Sequence, residues 1–360
     1  MGSFSANEFP TIALDYEAGE IVLVDQTLLP GEVQLLRLSK LEDIWEAIKV
    51  LRVRGAPAIG VTAGFAAYLA ANAIDTENVP EFFERFEKAA SYLATSRPTA
   101  VNLFWALDRM MRVAREAGER GTKEDGLSVS AVSDIKEALL KEALAIRDED
   151  IAICEAIGRH ALGLVKPGMG LLTHCNAGRL ATVEYGTATS VMYLGHEKGY
   201  GFDIYCDETR PLLQGARLTA FELAAAGMKP TVICDNMVSS LMSEGKIDAV
   251  FTGCDRVAAN GDTANKIGTS GVAIIAKHYG VPFYICAPSS TLDMTTPDGS
   301  GIEIEQRAAD EVVEMWYKER MAPKDADVYN PAFDVTSASL ITAIITEDGV
   351  FQPDRLAEKY

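Results

Sequence analysis

The chain has 360 residues, of which 48% are hydrophobic and 24% are charged, a composition typical of folded globular proteins and not of disordered ones. This length exceeds the usual size of one domain, so two domains are expected. The 52 acidic residues outnumber the 33 basic ones, and the net charge of −19 argues against nucleic acid and anionic membranes as partners.

The N-terminus and the cysteines indicate the compartment. The segment MGSFSANEFP has no basic stretch followed by an apolar one, so no signal peptide is predicted. No apolar run approaches the roughly 18 residues of a membrane span. The six cysteines lack CxxC spacing and the four histidines are scattered, which favours reduced thiols without a metal site. We therefore predict a cytoplasmic protein that binds no metal.

The first 132 residues predict a small sheet and a helical bundle. Residues 11–39 contain short strand-like runs, and IVLVDQTLLPGE combines a strand with a Pro-Gly turn. Helical patterns follow Pro57 and recur around 80–95 and 100–117. Before them, one face of a predicted helix carries Leu41, Ile44, Trp45, Ile48 and Leu51.

One long helix is predicted from Ser133 to about Leu164, because this stretch contains no Gly or Pro before Gly158. Asp134 and Glu137 resemble a capping box at its start, and LVKPGMG ends it. We interpret residues 133–166 as a connecting helix between an N-terminal domain (1–132) and a C-terminal domain (167–360).

Strands and helices alternate in the C-terminal part. Five apolar runs, GLLTHC, FDIYCDE, TVICDN, AVFTGCD and PFYICAP, have strand character, and helical stretches separate them. This alternation predicts an α/β fold with a Rossmann-like parallel sheet covered on both faces. Ligands of such sheets bind at the carboxyl ends of the strands. The five runs end in polar or reactive residues there: Cys175, Asp207, Asp235, Asp255, and Pro288 before Ser289.

Two segments suit an anionic ligand. Arg54-Gly55-Ala56-Pro57 lies between two helical patterns, where backbone amides and a guanidinium hold phosphate in many proteins; a plain helix–helix connector is the alternative. The polar loop from Asn260 to Gly268 is predicted to run into a helix, with Lys266 at the helix N-terminus. It lacks the order of a Walker A loop.

Two further residues suit catalysis. Cys175 follows an apolar strand in a polar, Gly-containing segment, where backbone N–H groups favour a thiolate; a buried inert thiol is the alternative. His174 precedes it and is expected on the opposite face, so no Cys–His pair is proposed. Asp255 also ends a strand and suits a general acid or base, or a helix cap or a partner of Arg256.

Several long motifs together resemble the methylthioribose-1-phosphate isomerases, whose superfamily includes the regulatory subunits of the exchange factor for translation initiation factor two. The motifs are RGAPAIG (54–60), SRPTAVNLFWALDRM (96–110), THCNAGRLATVEYGTA (173–188), DETRPLLQGARLTAFEL (207–223), GCDRVAANGDTANKIGT (253–269) and NPAFDVT (330–336). The resemblance implies a helical N-terminal domain, a Rossmann-like C-terminal domain, a homodimer, no cofactor and a phosphorylated pentose as substrate in methionine salvage.

The resemblance also implies residue roles. It places catalysis on Cys175 and Asp255, and substrate contacts on Arg54, Gly55, Ala56, Arg97, Gln214, Asn265 and Lys266. Either the thiolate of Cys175 removes the C2 proton while Asp255 moves protons on oxygen, or Asp255 deprotonates the 2-hydroxyl and hydride shifts from C2 to C1. Isomerisation of ribose 1,5-bisphosphate or 5-deoxyribose 1-phosphate, and a non-catalytic regulatory subunit, are the alternatives.

Overall fold

The computed structural model describes residues 9–98, 100–121 and 131–360. The chain forms two compact units. The N-terminal unit contains the described residues up to Ala152 together with the short segment Leu180–Glu184. The C-terminal unit contains Ile153–Arg179 and Tyr185–Tyr360. In the part of the chain that is described, no helix combines the length and the apolar character that crossing a membrane requires.

The N-terminal unit begins with an antiparallel three-stranded sheet, in the order β1 (Ile12–Asp15), β2 (Glu20–Val24) and β3 (Leu35–Leu38). Ile12 pairs with Leu23 in this sheet. Paired residues of neighbouring strands point to the same face of a sheet. Ile12 and Leu23 are both buried, in a core that also contains residues of the helices. The predicted small sheet is therefore confirmed.

Five helices follow: α1 (Leu41–Lys49), α2 (Ala56–Asn72), α3 (Val79–Ala94), α4 (Val101–Gly121) and α5 (Ala131–Leu162). Helix α2 is buried over most of its surface, which its Ala- and Gly-rich sequence permits. Gly60 lets Asn102 of α4 approach closely, and Gly64 does the same for Ile146 of α5. The prediction for Leu51 was wrong: α1 ends at Lys49, and Leu51 adopts a left-handed conformation with φ 67°.

The long helix predicted from Ser133 is present as α5, and the boundary between the two units falls within it, after Ala152. The C-terminal unit then contains eleven strands among its described residues: β4 (Gly170–Thr173), β5 (Asp203–Asp207), β6 (Pro230–Ile233), β7 (Ala249–Thr252), β8 (Arg256–Ala258), β9 (Thr263–Lys266), β10 (Phe283–Cys286), β11 (Leu292–Asp293), β12 (Phe333–Thr336), β13 (Ala343–Thr346) and β14 (Gly349–Phe351). Its further helices are α6 (Ser190–Glu197), α7 (Ala220–Ala225), α8 (Val238–Ser243), α9 (Thr269–Tyr279) and α10 (Asp310–Val313).

Seven of these strands form the main sheet, in the order β14-β13-β10-β7-β4-β5-β6. All neighbours are parallel except the β13–β14 pair. The five predicted strands are β4, β5, β6, β7 and β10, so the parallel sheet is confirmed. From β4 the chain builds the sheet outward to β6, then returns to β7 and builds it in the other direction. This reversal between β4 and β7 opens a crevice at the carboxyl ends of those strands.

Residues that alternate along the strands enter two separate cores. Leu171 and Phe251 pack with α6 and α7 residues such as Val191 and Leu223 on one face of the sheet. On the other face, Leu172 belongs to a core that the helices α8 and α9 complete. Helices therefore cover both faces, as expected for a parallel sheet.

A second sheet was not predicted. It has four strands in the order β11-β8-β9-β12, and its strands come from the connections that follow β7 and β10. Strand β9 includes Lys266, so the predicted position of this lysine at a helix N-terminus was wrong: α9 begins only at Thr269. The amides of Gly268 and Ser270 at that helix start donate to the carboxylate of Asp334, which already supplies an anionic group there.

Candidate active site

Cys175 lies two residues beyond β4, at the crevice between β4 and β7. Its backbone adopts the left-handed conformation with φ 65°, which residues other than glycine seldom adopt. Two threonines hold it there: Cys175 N donates to Thr209 Oγ1 over 2.8 Å, and Thr219 Oγ1 donates to Cys175 O over 2.7 Å. Strained residues held by their surroundings cluster at active sites, which is consistent with a functional role.

The segment that supplies both threonines has unusual backbone geometry. Thr209 and Leu213 have positive φ, and Gly215–Thr219 forms one π-helical turn that runs into α7. Gly215 lies so close to the carbonyl of Asp207 that an added Cβ would be 1.7 Å from its oxygen. Short π-helical turns often occur at functional sites, because they displace side chains from their helical positions.

Gln214 precedes this π-helical turn and is only 5% exposed. Its Oε1 is buried, and no group of the described residues donates to it. A buried amide oxygen without a donor is costly. Gln214 is a predicted substrate contact, and its buried acceptor oxygen suits a hydroxyl donor of a ligand.

Glu222 organises the loop after Cys175 and was missed by the sequence analysis. Its buried carboxylate accepts from Asn176 Nδ2 over 3.3 Å and from Arg179 N over 3.1 Å. A Cβ at Gly178 would be 1.6 Å from Glu222 Oε1, so only glycine fits there. The acidic residue inside the otherwise apolar run LTAFEL was the available signal, because carboxylates are seldom buried without partners.

Asp255 follows β7, which pairs with β4 in the main sheet. The parallel arrangement therefore brings Cys175 and Asp255 to the same edge of the sheet. Asp255 N donates to Ala264 O over 2.9 Å, and the residue is exposed. The neighbouring Cys254 lacks the low pKa of a reactive thiol, because burial raises the pKa of Cys254 to about 12. Its Sγ lies 3.3 Å from Thr291 Oγ1.

The remaining predicted contacts of the C-terminal unit lie on β9. Asn265 is 6% exposed and donates from Nδ2 to Thr269 Oγ1 over 3.0 Å. Lys266 Nζ donates to Ala332 O over 2.8 Å and lies 4.3 Å from the ring centroid of Phe333. Lys266 thus has a defined position from which its charge acts.

Arg54, Gly55, Ala56 and Arg97 belong to the N-terminal unit. Gly55 is the N-cap of α2 with φ 93°, and Ala56 is the first helical residue. A Cβ at Gly55 would be 2.5 Å from Ala181 O, so both the conformation and the space require glycine. Arg54 and Arg97 are half-buried, the latter between α3 and α4.

Both ring nitrogens of His174 contact oxygen atoms of other residues. Its two ring nitrogens lie 2.9 Å from Asp207 Oδ2 and 2.9 Å from Ile267 O. Ligand atoms of His174, Asp207 and Asp235 lie within 4.8 Å of one another, a spacing that also suits a metal ion. However, the oxygens of Asp235 accept from the backbone amides of Thr209 and Arg210 over 2.7 and 2.8 Å.

Comparison with known proteins gives matches over most of the chain. Residues 52–353 match the model of the initiation factor 2 subunit family. The methylthioribose-1-phosphate isomerase of Symbiobacterium thermophilum is 57% identical over 342 residues, which are 95% of this chain and 92% of that protein. The 5-deoxyribose 1-phosphate isomerase of Petrotoga mobilis is 56% identical over 343 residues, 95% of this chain and 96% of that protein.

The fold agrees with these matches. The crystal structure of 5-methylthioribose 1-phosphate isomerase from Pyrococcus horikoshii superposes with a TM-score of 0.89 at 42% identity, covering 98% of this chain and 95% of that chain. The family match includes all predicted catalytic and substrate-binding positions, from Arg54 to Lys266. By family model, sequence identity and fold, the chain belongs to the initiation factor 2 subunit family.

Proposed function

We propose that the protein is an aldose–ketose isomerase that converts 5-methylthio-D-ribose 1-phosphate into 5-methylthio-D-ribulose 1-phosphate. The observation that carries the proposal is the strained Cys175 at the crevice of the sheet, beside the strand that leads to Asp255. The relatives named methylthioribose-1-phosphate isomerase and 5-deoxyribose 1-phosphate isomerase, at 57% and 56% identity, support it.

The substrate determines what the catalytic residues must do. Phosphate on C1 blocks the spontaneous ring opening that free aldoses undergo, so the enzyme must assist ring opening with the ester in place. In one route, the Cys175 thiolate removes the C2 proton to give an enol-type intermediate, and Asp255 transfers protons to and from oxygen. In the other, Asp255 deprotonates the 2-hydroxyl and hydride shifts directly from C2 to C1.

Substrate binding is proposed for the residues that the resemblance indicated. Arg54, Arg97 and Lys266 supply positive charge for the phosphate in a protein of net charge −19. Gly55 and Ala56 contribute backbone amides at the start of α2. Asn265 and the buried acceptor of Gln214 contact hydroxyl groups. On α4, Phe104 and Trp105 are exposed while Leu103 is buried, so these aromatic rings are available to an apolar 5-substituent.

Phosphorus NMR of the purified protein with 5-methylthioribose 1-phosphate tests the activity. We expect conversion by the wild type and its loss in Cys175→Ser and in Asp255→Asn. Cys234→Ser is the matched control, because this half-exposed cysteine also follows a strand of the main sheet, the edge strand β6, and has no proposed role. Equal loss in the control would show that the thiol-to-hydroxyl change is damaging in general and would remove the support for Cys175.

The same assay separates the alternatives. Conversion of both 5-deoxyribose 1-phosphate and the methylthio substrate would show an enzyme with two substrates. The name of the Petrotoga mobilis relative is the reason for testing 5-deoxyribose 1-phosphate. Conversion of ribose 1,5-bisphosphate alone would replace the proposed substrate. No turnover of any of the three would favour a non-catalytic regulatory subunit, to which the family description also applies.

Deuterated water separates the two routes. Solvent deuterium at C1 of the product would exclude a pure hydride shift, because a hydride never exchanges with water.

We further propose a cytoplasmic homodimer that acts in methionine salvage without a cofactor. Sedimentation equilibrium tests the dimer, since a monomer at micromolar protein concentration would contradict it.

A further inference from the structure

His174 is a fully buried histidine whose two ring nitrogens both face oxygen acceptors. Nδ1 lies 2.9 Å from Asp207 Oδ2, and Nε2 lies 2.9 Å from the carbonyl oxygen of Ile267. Asp207 is also fully buried. Both distances are those of ordinary hydrogen bonds, so each contact requires a proton between its two heavy atoms.

A neutral imidazole cannot satisfy both contacts when Asp207 is ionised. It carries one N–H donor and one lone pair, and a carbonyl oxygen only accepts. Nε2 must therefore donate to Ile267, which leaves Nδ1 with a lone pair facing a carboxylate oxygen. One additional proton removes this conflict, and the pair His174–Asp207 then has no net charge, which suits a buried site.

The surrounding charges favour a proton on the ring. Burial opposes a charged imidazole, but the hydrogen bond to Asp207 and the charges of Asp207 and Asp235 outweigh it and raise the pKa of His174. Burial also raises the pKa of Asp207 to about 6, against the hydrogen bond from His174, with further contributions from Asp235 and Glu208. Asp334 on β12 faces the ring as well.

The pair joins three segments that carry the proposed active-site residues. His174 immediately precedes Cys175, and Asp207 leads to Thr209, whose Oγ1 accepts from Cys175 N. Ile267 immediately follows Lys266. Gly268 packs against the ring, since a Cβ there would be 2.8 Å from Cε1 of His174.

We propose that His174 and Asp207 form a positioning pair, an imidazolium bound to a carboxylate, which holds the backbone of Cys175 and the end of β9 in their active arrangement. The pair does not contact substrate. Its role in turnover rests on the proposed function, whereas its protonation state does not. A metal ion in the same place is the competing use of these side chains, because Asp207 Oδ1 has no partner among the described residues.

NMR of histidine-¹⁵N-labelled protein tests the protonation state without any substrate. The chain has four histidines, and the spectrum of His174→Gln assigns the signals of this one. We expect two slowly exchanging ring N–H protons from His174 throughout pH 7–8. A single ring N–H would show a neutral imidazole and overturn the proposal.

Kinetics of two Asp207 variants test the positioning role. Asp207→Asn keeps a polar partner for Nδ1, because its amide N–H can donate to the lone pair of a neutral ring, so kcat should fall less than about tenfold. Asp207→Ala removes the partner, and kcat should fall about a hundredfold with KM changed less than about threefold, as expected for a displaced catalytic group. Equal kcat losses in the two variants, or an unchanged kcat in Asp207→Ala, would overturn the proposal.

Two controls keep the result interpretable. Thermal unfolding of each variant shows whether it is folded; if Asp207→Ala is not, the comparison uses His174→Gln and His174→Ala, where the glutamine amide retains one of the two contacts and should retain more kcat. Metal analysis of the wild type, with activity before and after chelation, tests the competing use. A stoichiometric divalent ion whose removal abolishes activity would replace the proposal with a metal site. If the wild type turns over no phosphopentose, the proposed function fails while the NMR result still decides the pair.

Discussion

Asp150 offers a direct test of how burial couples protonation to stability. It lies on α5, is buried, and accepts a hydrogen bond from Val183 N over 2.8 Å. Burial raises the pKa of Asp150 to about 7, although the hydrogen bond from Val183 acts in the opposite direction. Replacement by asparagine keeps an acceptor oxygen for Val183 and removes the titration.

The sign and size of the effect follow from linkage. Between the ordinary carboxyl pKa of 3.8 and about 7, the folded protein holds a proton that the unfolded chain releases, so the free energy of unfolding falls as pH rises. Each pH unit is equivalent to about 1.4 kcal/mol. Between pH 5 and pH 8 the wild type should therefore lose about 3 kcal/mol relative to Asp150→Asn.

Urea unfolding at pH 5 and pH 8 measures this difference, provided that the m-values of the two proteins agree. Asp148→Asn is the matched control: it makes the same chemical change two residues away on α5, at a side chain that is 61% exposed. We expect Asp148→Asn to follow the wild type within about 0.5 kcal/mol at both pH values. A gap between wild type and Asp150→Asn that stays constant with pH would refute the reasoning from burial.

Three further predictions concern single positions. Gly55→Ala and Gly19→Ala both place an alanine at positive φ, which costs about 1–3 kcal/mol, but only Gly55 faces an obstructing atom, Ala181 O at 2.5 Å. Urea unfolding should show an additional loss of about 1–3 kcal/mol for Gly55→Ala, and equal losses would contradict the close approach. Asn78→Ala removes the cap that accepts from the amide of Glu81 and should lower stability by about 1 kcal/mol in the same assay, whereas Asn78→Asp should not. Arg97→Ala should raise KM about ten- to a hundredfold, as loss of a hydrogen bond to a charged phosphate does, and a change in kcat alone would argue against a binding role.

The sequence alone was sufficient for elements with a distinctive local composition. Helices α2 to α4 follow from stretches rich in Ala, Leu, Met and Phe, and α5 follows from a run without Gly or Pro before Gly158. The ends of α5 differ from the predicted ones by two residues. The five strands β4–β7 and β10 follow from short apolar runs between Gly and Pro signals. The carboxyl ends of those runs also indicated where Cys175 and Asp255 lie, because all strands of a parallel sheet end at one edge.

Other features depend on partners that are distant along the chain. The neighbours β4 and β7 are separated by two further strands in the sequence, and nothing local to either specifies that they pair. The start of α9 depends on Asp334, 64 residues from the amide of Ser270 that it accepts from. In the same way, the hydrogen bond between His174 and Asp207 joins residues that are 33 positions apart in the sequence.

Local patterns indicate which side of an element is buried, because apolar side chains are favourably removed from water. They do not report which atom lies opposite a buried polar group. Glu222 shows the limit: its position within an apolar run indicated that the carboxylate would need partners, but not that Asn176 and the amide of Arg179 would provide them. Only the order of the strands decides these partners, since it alone determines which segments meet at the crevice.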